Sequence, residues 1–302
     1  MAQSTATPVS ARAPRLRDVV ALLKPITWFP PIWAFMCGVV SSGEAWGPRL
    51  PFIMLGIMLT GPLVCGTSQA INDWFDRHVD AINQPDRPIP SGRIGGHWGL
   101  WIAIAGSALS LAVAMLAGPW VFGATSLALA AAWAYSAPPF RAKMSGLWGP
   151  GLVAISYEGL TWFTGSSVIS GGLPPAQVLA VLLLYSLGAH GIMTLNDFKA
   201  VEGDRAMGIR SLPVVVGNDR AVRIACVTMA VPQIAVIALL LALGHIGGGM
   251  IVAGLLGGQL ALMPRLIRNP VGQTPWYNAT GTTLSVLGML AAALGLGGVL
   301  PL

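Results

Sequence analysis

Nine long apolar runs, separated by short segments that carry nearly all the charge, dictate what this chain can fold into. They lie at roughly 25–43, 50–72, 98–117, 119–136, 147–169, 176–196, 221–243, 248–266 and 280–300. Each is close to the ~20 residues that an α-helix needs to cross a bilayer. Only 9% of the 302 residues are charged, against about 25% in a soluble domain. In hydrocarbon, a helix satisfies its own backbone hydrogen bonds and an open strand does not. The pattern therefore predicts an all-α, polytopic membrane protein with nine transmembrane helices.

The basic residues test that count. With a cytoplasmic N-terminus, the cytoplasmic segments hold Arg12, Arg15, Arg17 and Lys24, then Arg77, Arg87 and Arg93, then Arg141 and Lys143. They also hold Lys199, Arg205, Arg210, Arg220 and Arg223, and finally Arg265 and Arg268. That is sixteen of the seventeen Lys and Arg residues, with Arg49 alone on the other side. Such asymmetry is how helical membrane proteins are oriented. It accounts for the net charge of +6 with no nucleic-acid partner. Residues 1–24 read as a basic cytoplasmic segment, in which Arg15, Arg17 and Lys24 alternate with Leu16, Val19, Val20, Leu22 and Leu23. That spacing suits a short interfacial helix. Residues 25–302 read as one transmembrane domain. Cys37, Cys65 and Cys226 fall inside spans without metal-ligand spacing and read as small packing residues.

The acidic residues are concentrated. Asn72-Asp73-Trp74-Phe75-Asp76-Arg77-His78-Val79-Asp80 ends the second span. On one helix, Asn72, Asp73, Asp76 and Asp80 fall within an arc of about 100°, where carboxylates repel one another unless a cation sits between them. The pattern returns at the end of the sixth span. Asn196, Asp197 and Asp204 match Asn72, Asp73 and Asp80, while Ala200 stands where Asp76 stands. The two copies hold six of the eleven acidic residues. Four crossings separate them, so both face the same side. This is a parallel internal repeat, unlike the inverted repeats of many transporters. It predicts a central cavity lined by both motifs and open to the cytoplasmic side.

Cations follow each acidic stretch. A Pro-rich loop carries Arg87, a third cytoplasmic loop carries Arg141 and Lys143, and Arg205 and Arg210 trail the second motif. Carboxylates and amide oxygens suit Mg²⁺, which commonly keeps substrate phosphates as co-ligands. Arginine and lysine suit the remaining phosphate oxygens. The combination points to a Mg²⁺-bound diphosphate whose organic tail enters the membrane, as in an isoprenoid diphosphate. The expected metal set is Asn72, Asp73, Asp76, Asp80, Asn196, Asp197 and Asp204, with Asp76, Asp80 and Asp204 as the catalytic carboxylates. Arg87, Arg141, Lys143, Arg205 and Arg210 form the expected diphosphate set.

The motif Asn-Asp-x-x-Asp-x-x-x-Asp, followed by Arg87-Pro88-Ile89-Pro90-Ser91-Gly92, resembles the UbiA-type intramembrane prenyltransferase superfamily. Asp80-Ala81-Ile82-Asn83 and Glu202-Gly203-Asp204-Arg205 are similar to chlorophyll synthases. Pro25-Ile26-Thr27-Trp28, Ser156-Tyr157-Glu158-Gly159 and Gly188-Ala189-His190-Gly191 are similar to their bacteriochlorophyll branch. The resemblance runs from about 20 to about 295. It implies a nine-helix fold around a central cavity and a Mg²⁺-dependent esterification of a bacteriochlorophyllide by geranylgeranyl or phytyl diphosphate. It places the chain in a bacterial inner or intracytoplasmic photosynthetic membrane, and leaves room for other pigment-biosynthesis or assembly proteins as partners. Many relatives carry a carboxylate where this chain has Ala200.

No Ser-His-Asp or Cys-His constellation is present, and a carboxylate nucleophile, already ionised at neutral pH, needs none. Glu158 and His190 lie inside spans, where ionisable groups are costly and often functional. Both are candidate pigment contacts, set against roles as a helix-pairing carboxylate and a packing histidine. Two other readings stay open: the same chemistry on a quinone precursor or haem, and an ion-coupled transporter with paired acidic motifs.

Overall fold

A computed structural model describes residues 13–300; the opening residues of the basic segment, Arg12 among them, lie outside the described range. The described residues form helices joined by loops. In order they form α1 (Leu16–Leu23), α2 (Phe29–Ser41), α3 (Gly47–Asn83), α4 (Trp98–Ala117) and α5 (Pro119–Ser136). These are followed by α6 (residues 148–170), α7 (Ala176–Lys199), α8 (Asn218–Ala242), α9 (Ile246–Arg268) and α10 (Pro270–Leu296). Among the described residues there is no strand, only an isolated bridge between Ser145 and Arg210.

Six of these helices, α3, α4, α7, α8, α9 and α10, are each long and apolar enough to cross a bilayer. A seventh crossing arises if Leu16–Thr27 and α2, bent by 58° at their junction, count as one span. The remaining apolar runs, 119–136 and 147–169, are filled by the helices α5 and α6. Proline marks several starts. It occupies the first turn of α2, α5 and the segment opening α10, where a missing N–H costs nothing. Pro62 instead sits inside α3, and there the helix widens into a π segment over Leu59–Cys65, a usual way to absorb a proline. A second π segment, Ile155–Leu160, interrupts α6.

Successive helices pack on one another, and α2 joins the two halves by packing on both α6 and α10. Lipid supplies no hydrophobic drive for such contacts, so close backbone approach and van der Waals fit must carry them. The α2–α6 crossing shows how close. A Cβ on Gly38 would lie 2.0 Å from the Trp162 carbonyl oxygen, and one on Gly165 would lie 2.0 Å from that of Phe35. Glycine is required at both positions. Trp162 is fully buried beside them, stacks on Tyr185 at 5.8 Å and donates Nε1–H to Ser41 Oγ at 2.9 Å.

The short α1 packs on the end of α3. Leu22 is buried against Ala70, Ile71, Ile94 and Ala103, and buried Asp18 accepts a bond from Arg93 Nη1 at 3.0 Å. Leu16, at 79% exposure, and Ile26, at 89%, face outward, as an interfacial helix requires. From Leu16 onward the basic segment is therefore part of the folded body, with only one face left for an interface.

Candidate active site

The first acidic motif lies on the unbroken helix Gly66–Asn83, so the expected stripe forms. Asn72, Asp76 and Asp80 line a cavity of about 750 Å³, and Asn196, Asp197 and Asp204 line the same cavity from the far side. Residues 124 positions apart in sequence thus share one chamber. Tyr135 stands among them, within the fields of Asp197, Asp76 and Asp204.

The second motif departs from the expected helix. It tightens to 3₁₀ over Asn196–Lys199, breaks at Ala200 (φ −114°, ψ 2°) and resumes as a separate helix, Val201–Ala206. Asp197 and Asp204 therefore reach the cavity from two short elements. The methyl of Ala200 forms the wall between them. Asp197 and Asp204 repel each other, and Asp197 Oδ2 is buried without a hydrogen-bond partner.

Cations occupy the first motif. Arg87 Nη1 donates to Asp80 Oδ2 at 2.6 Å and to Asp73 Oδ1 at 3.1 Å. Lys24 Nζ donates to the same Asp73 oxygen at 2.6 Å. Lys143 pairs with Asp76, whose other oxygen accepts from Asn72 Nδ2 at 2.9 Å. Burial pushes the Lys143 ammonium below its ordinary pKa, and Asp76 pulls it back only in part. Arg141, at a left-handed backbone position (φ 40°), also lines the cavity, with a buried Nε that has no partner.

Several expected site residues lie elsewhere. Asp73 is fully buried beneath Lys24 and Arg87 and is not part of the cavity wall. Next to Asp76 in sequence pattern, it is in space the anchor of the Pro-rich loop and of α1. Arg205 faces a separate surface cavity with Lys199, Glu202 and Arg220. Arg210 is exposed and meets the site only through its backbone, which pairs with Met144 at 2.9 Å and Gly146 at 2.8 Å. His190 lies within 3.1 Å of the Leu147 carbonyl through Nε2 and does not line the cavity. Glu158 has a buried, unpartnered Oε2 beside Cys37 and also lies off the cavity wall. Sequence reasoning missed two residues. Tyr135 gave no signal beyond opening a charged loop, and Lys24 was indistinguishable from its orienting neighbours.

Among the described residues, no three acidic, His or Cys side chains converge into a ready metal cluster. The donor chemistry nonetheless fits Mg²⁺. Carboxylates and carboxamides of both motifs line one cavity, and one carboxylate oxygen is buried without a partner, which suits a hard, oxygen-seeking cation.

A second, inner chamber of about 310 Å³ adjoins the first. The two share Asn72, Tyr135, Val153 and Met193 as a common waist. The charged residues all lie on the outer side of it.

A helix bundle with paired acidic motifs and cations at one chamber defines a polytopic membrane protein with a charged internal site, and the chain belongs to the UbiA prenyltransferase family, whose model matches residues 27–281. Among its relatives, the bacteriochlorophyll synthase 33 kDa chain of Cereibacter sphaeroides is 58% identical, over 95% of each chain. The protein of the same description from Rhodobacter capsulatus is 51% identical over 99% of each. A UbiA homologue of Archaeoglobus fulgidus, solved bound to GPP and Mg²⁺, shares the fold with a TM-score of 0.69 at 22% identity, over 92% of this chain and 98% of that one.

Proposed function

We propose that the protein esterifies the propionate of a bacteriochlorophyllide with geranylgeranyl or phytyl diphosphate, releasing diphosphate. The observation that carries this reading is the shared chamber of the two acidic motifs with Lys143 and Arg141 on its wall. The high identity to bacteriochlorophyll synthases, across nearly the whole chain, supports the choice of acceptor.

The chemistry asks for charge control more than proton transfer. The acceptor carboxylate attacks the isoprenoid carbon that bears the diphosphate. A carbon–oxygen bond forms, the bond to the diphosphate breaks, and its electron pair leaves with the phosphate oxygen. No proton moves. Asn72, Asp76, Asp80, Asn196, Asp197 and Asp204 would hold Mg²⁺, which when bound neutralises charge on the leaving diphosphate. Lys143, Arg141 and Arg87 add fixed positive charge at the same place. Lys143 pairs with Asp76 and Arg87 with Asp80, so these cations would be shared between those carboxylates and the phosphate oxygens. Asp73 acts at one remove, holding Arg87 and Lys24 in position.

The same reading takes the chain to cross the membrane nine times, with the N-terminus and the cavity mouth on the cytoplasmic side. The distribution of its basic residues supports this. The membrane would be the bacterial inner or intracytoplasmic photosynthetic membrane.

Membranes containing the protein, given bacteriochlorophyllide, geranylgeranyl diphosphate and Mg²⁺, are expected to yield esterified pigment on extraction. Chelation with EDTA is expected to abolish the product, and added Mg²⁺ to restore it. Prenylation of a quinone precursor or of haem, with the bacteriochlorophyllide left untouched, would overturn the acceptor assignment.

A further inference from the structure

The inner chamber has a direction. On α3 its lining runs from Asn72 at the waist to Thr60, twelve residues or about 18 Å along the helix. On α5 it runs from Tyr135 to Ala128, and on α6 from Val153 to Thr161. All three walls lead away from the charged outer cavity; from the waist, Ala128 lies seven residues along α5 and Thr161 eight along α6, about 10–12 Å, with Thr60 farther in on α3.

Its hydroxyls are turned inward on their own helices. Thr60 Oγ1 donates to Gly56 O at 2.9 Å, Ser68 Oγ donates to Cys65 O at 2.7 Å, and Thr161 donates to Tyr157 O. Tyr157 OH accepts from Gln69 Nε2 at 3.1 Å. Hydroxyls satisfied in this way present carbon to the chamber, so a hydrocarbon can enter without orphaning them. Ser156 Oγ alone on the α6 wall is buried without a partner, too little to define a polar ligand's seat. On the facing wall, Ala128, Ala131 and Ala132 form one methyl stripe at the i, i+3, i+4 spacing of a single helix face. The neighbouring Leu127 points outward, at 62% exposure. Bulk has been kept off the inner face of α5 and placed on its outer one.

Building on the reading above, we propose that this chamber measures the isoprenoid chain, with Ala128 and the deeper Thr60 as successive stops along it and Ala132 as the gate beside the waist. Steric selection of this kind follows from close packing: a wall that cannot retreat excludes each added carbon. Depth then predicts a graded response. Bulk at Ala128 shortens the chain that fits, and bulk at Ala132 obstructs every chain.

The test compares transfer from geranyl diphosphate and geranylgeranyl diphosphate to bacteriochlorophyllide, in membranes carrying the full-length protein. Ala128→Leu is expected to lower the kcat/KM ratio of the longer to the shorter donor about tenfold or more, a usual cost of misfit in an apolar pocket. Thr60→Met, entering deeper from α3, is expected to lower the ratio in the same direction, and it decides the matter if Ala128→Leu fails to fold. Ala132→Leu is expected to depress both donors. The proposal is overturned if Ala128→Leu and Thr60→Met leave the ratio unchanged, or if Ala132→Leu spares the shorter donor as they do. Failure of the unmodified protein to use either donor would count against the esterification reading itself, whereas normal esterification with an unchanged ratio would remove the chain-length proposal alone.

Discussion

Asp73 and Asp76 sit three positions apart on one helix, yet the structure gives them different tasks. Asp76 lines the outer cavity against Lys143, whereas Asp73 is buried under Lys24 and Arg87. Asp76→Asn is expected to lower kcat/KM about 100-fold, the order of a lost charge-stabilising group, and to raise the Mg²⁺ concentration needed for half-maximal rate. Asp73→Asn leaves Lys24 without its buried partner and Arg87 with Asp80 alone. Both cations are partly exposed, so the loss of stability belongs near the low end of the about 3–5 kcal/mol seen when buried pairs are broken. A thermal melt should register it, and a Mg²⁺ titration should move far less than for Asp76→Asn. A titration that moved equally for both variants would contradict the division. The acidic stripe on one helix was legible from residue spacing alone. Which carboxylate faces the cavity was not, because Lys24 comes from 49 positions away.

Among elements, the α2–α6 crossing is the strictest contact. Gly38 and Gly165 each face a carbonyl oxygen at a distance no Cβ tolerates, so either helix must move if one is replaced. Gly165→Ala and Gly38→Ala are each expected to destabilise by about 1–3 kcal/mol, as overpacking does, and to lower the unfolding temperature in detergent. The same substitution at Gly254, which has open space around it, serves as the control; equal losses at all three would argue against a packing cause. The second acidic motif teaches the complementary lesson. Its sequence aligns with the first, but a continuous helix does not form, and Ala200 is the residue at which the helix breaks. Local pattern announced the repeat, while the folded surroundings of Asn196–Ala206 decided its backbone.

At the scale of the molecule, orientation is the property most open to direct measurement. Cys37, Cys65 and Cys226 are all buried, so an introduced cysteine reports its own side. Phe140, 76% exposed in the loop that carries Arg141 and Lys143, belongs to the basic face. Glu44, exposed in the turn between α2 and α3, belongs to the opposite one. In sealed inner-membrane vesicles with the cytoplasmic face outward, an impermeant thiol reagent is expected to label F140C and spare E44C. The reverse pattern would invert the topology and move the cavity mouth to the other side.

Apolar run lengths and the doubled acidic motif were sufficient to announce a helical membrane protein with two matching acidic stretches, because span length and local charge are properties of short windows of sequence. The tertiary structure decided which members of those motifs meet. It drew Asp197 and Asp204 across to Asp76, removed Asp73, Arg205 and Arg210 from the cavity wall, and opened an alanine-lined chamber beneath Tyr135. These facts depend on where distant helices cross, and such crossings are set by side-chain shape summed over the whole bundle.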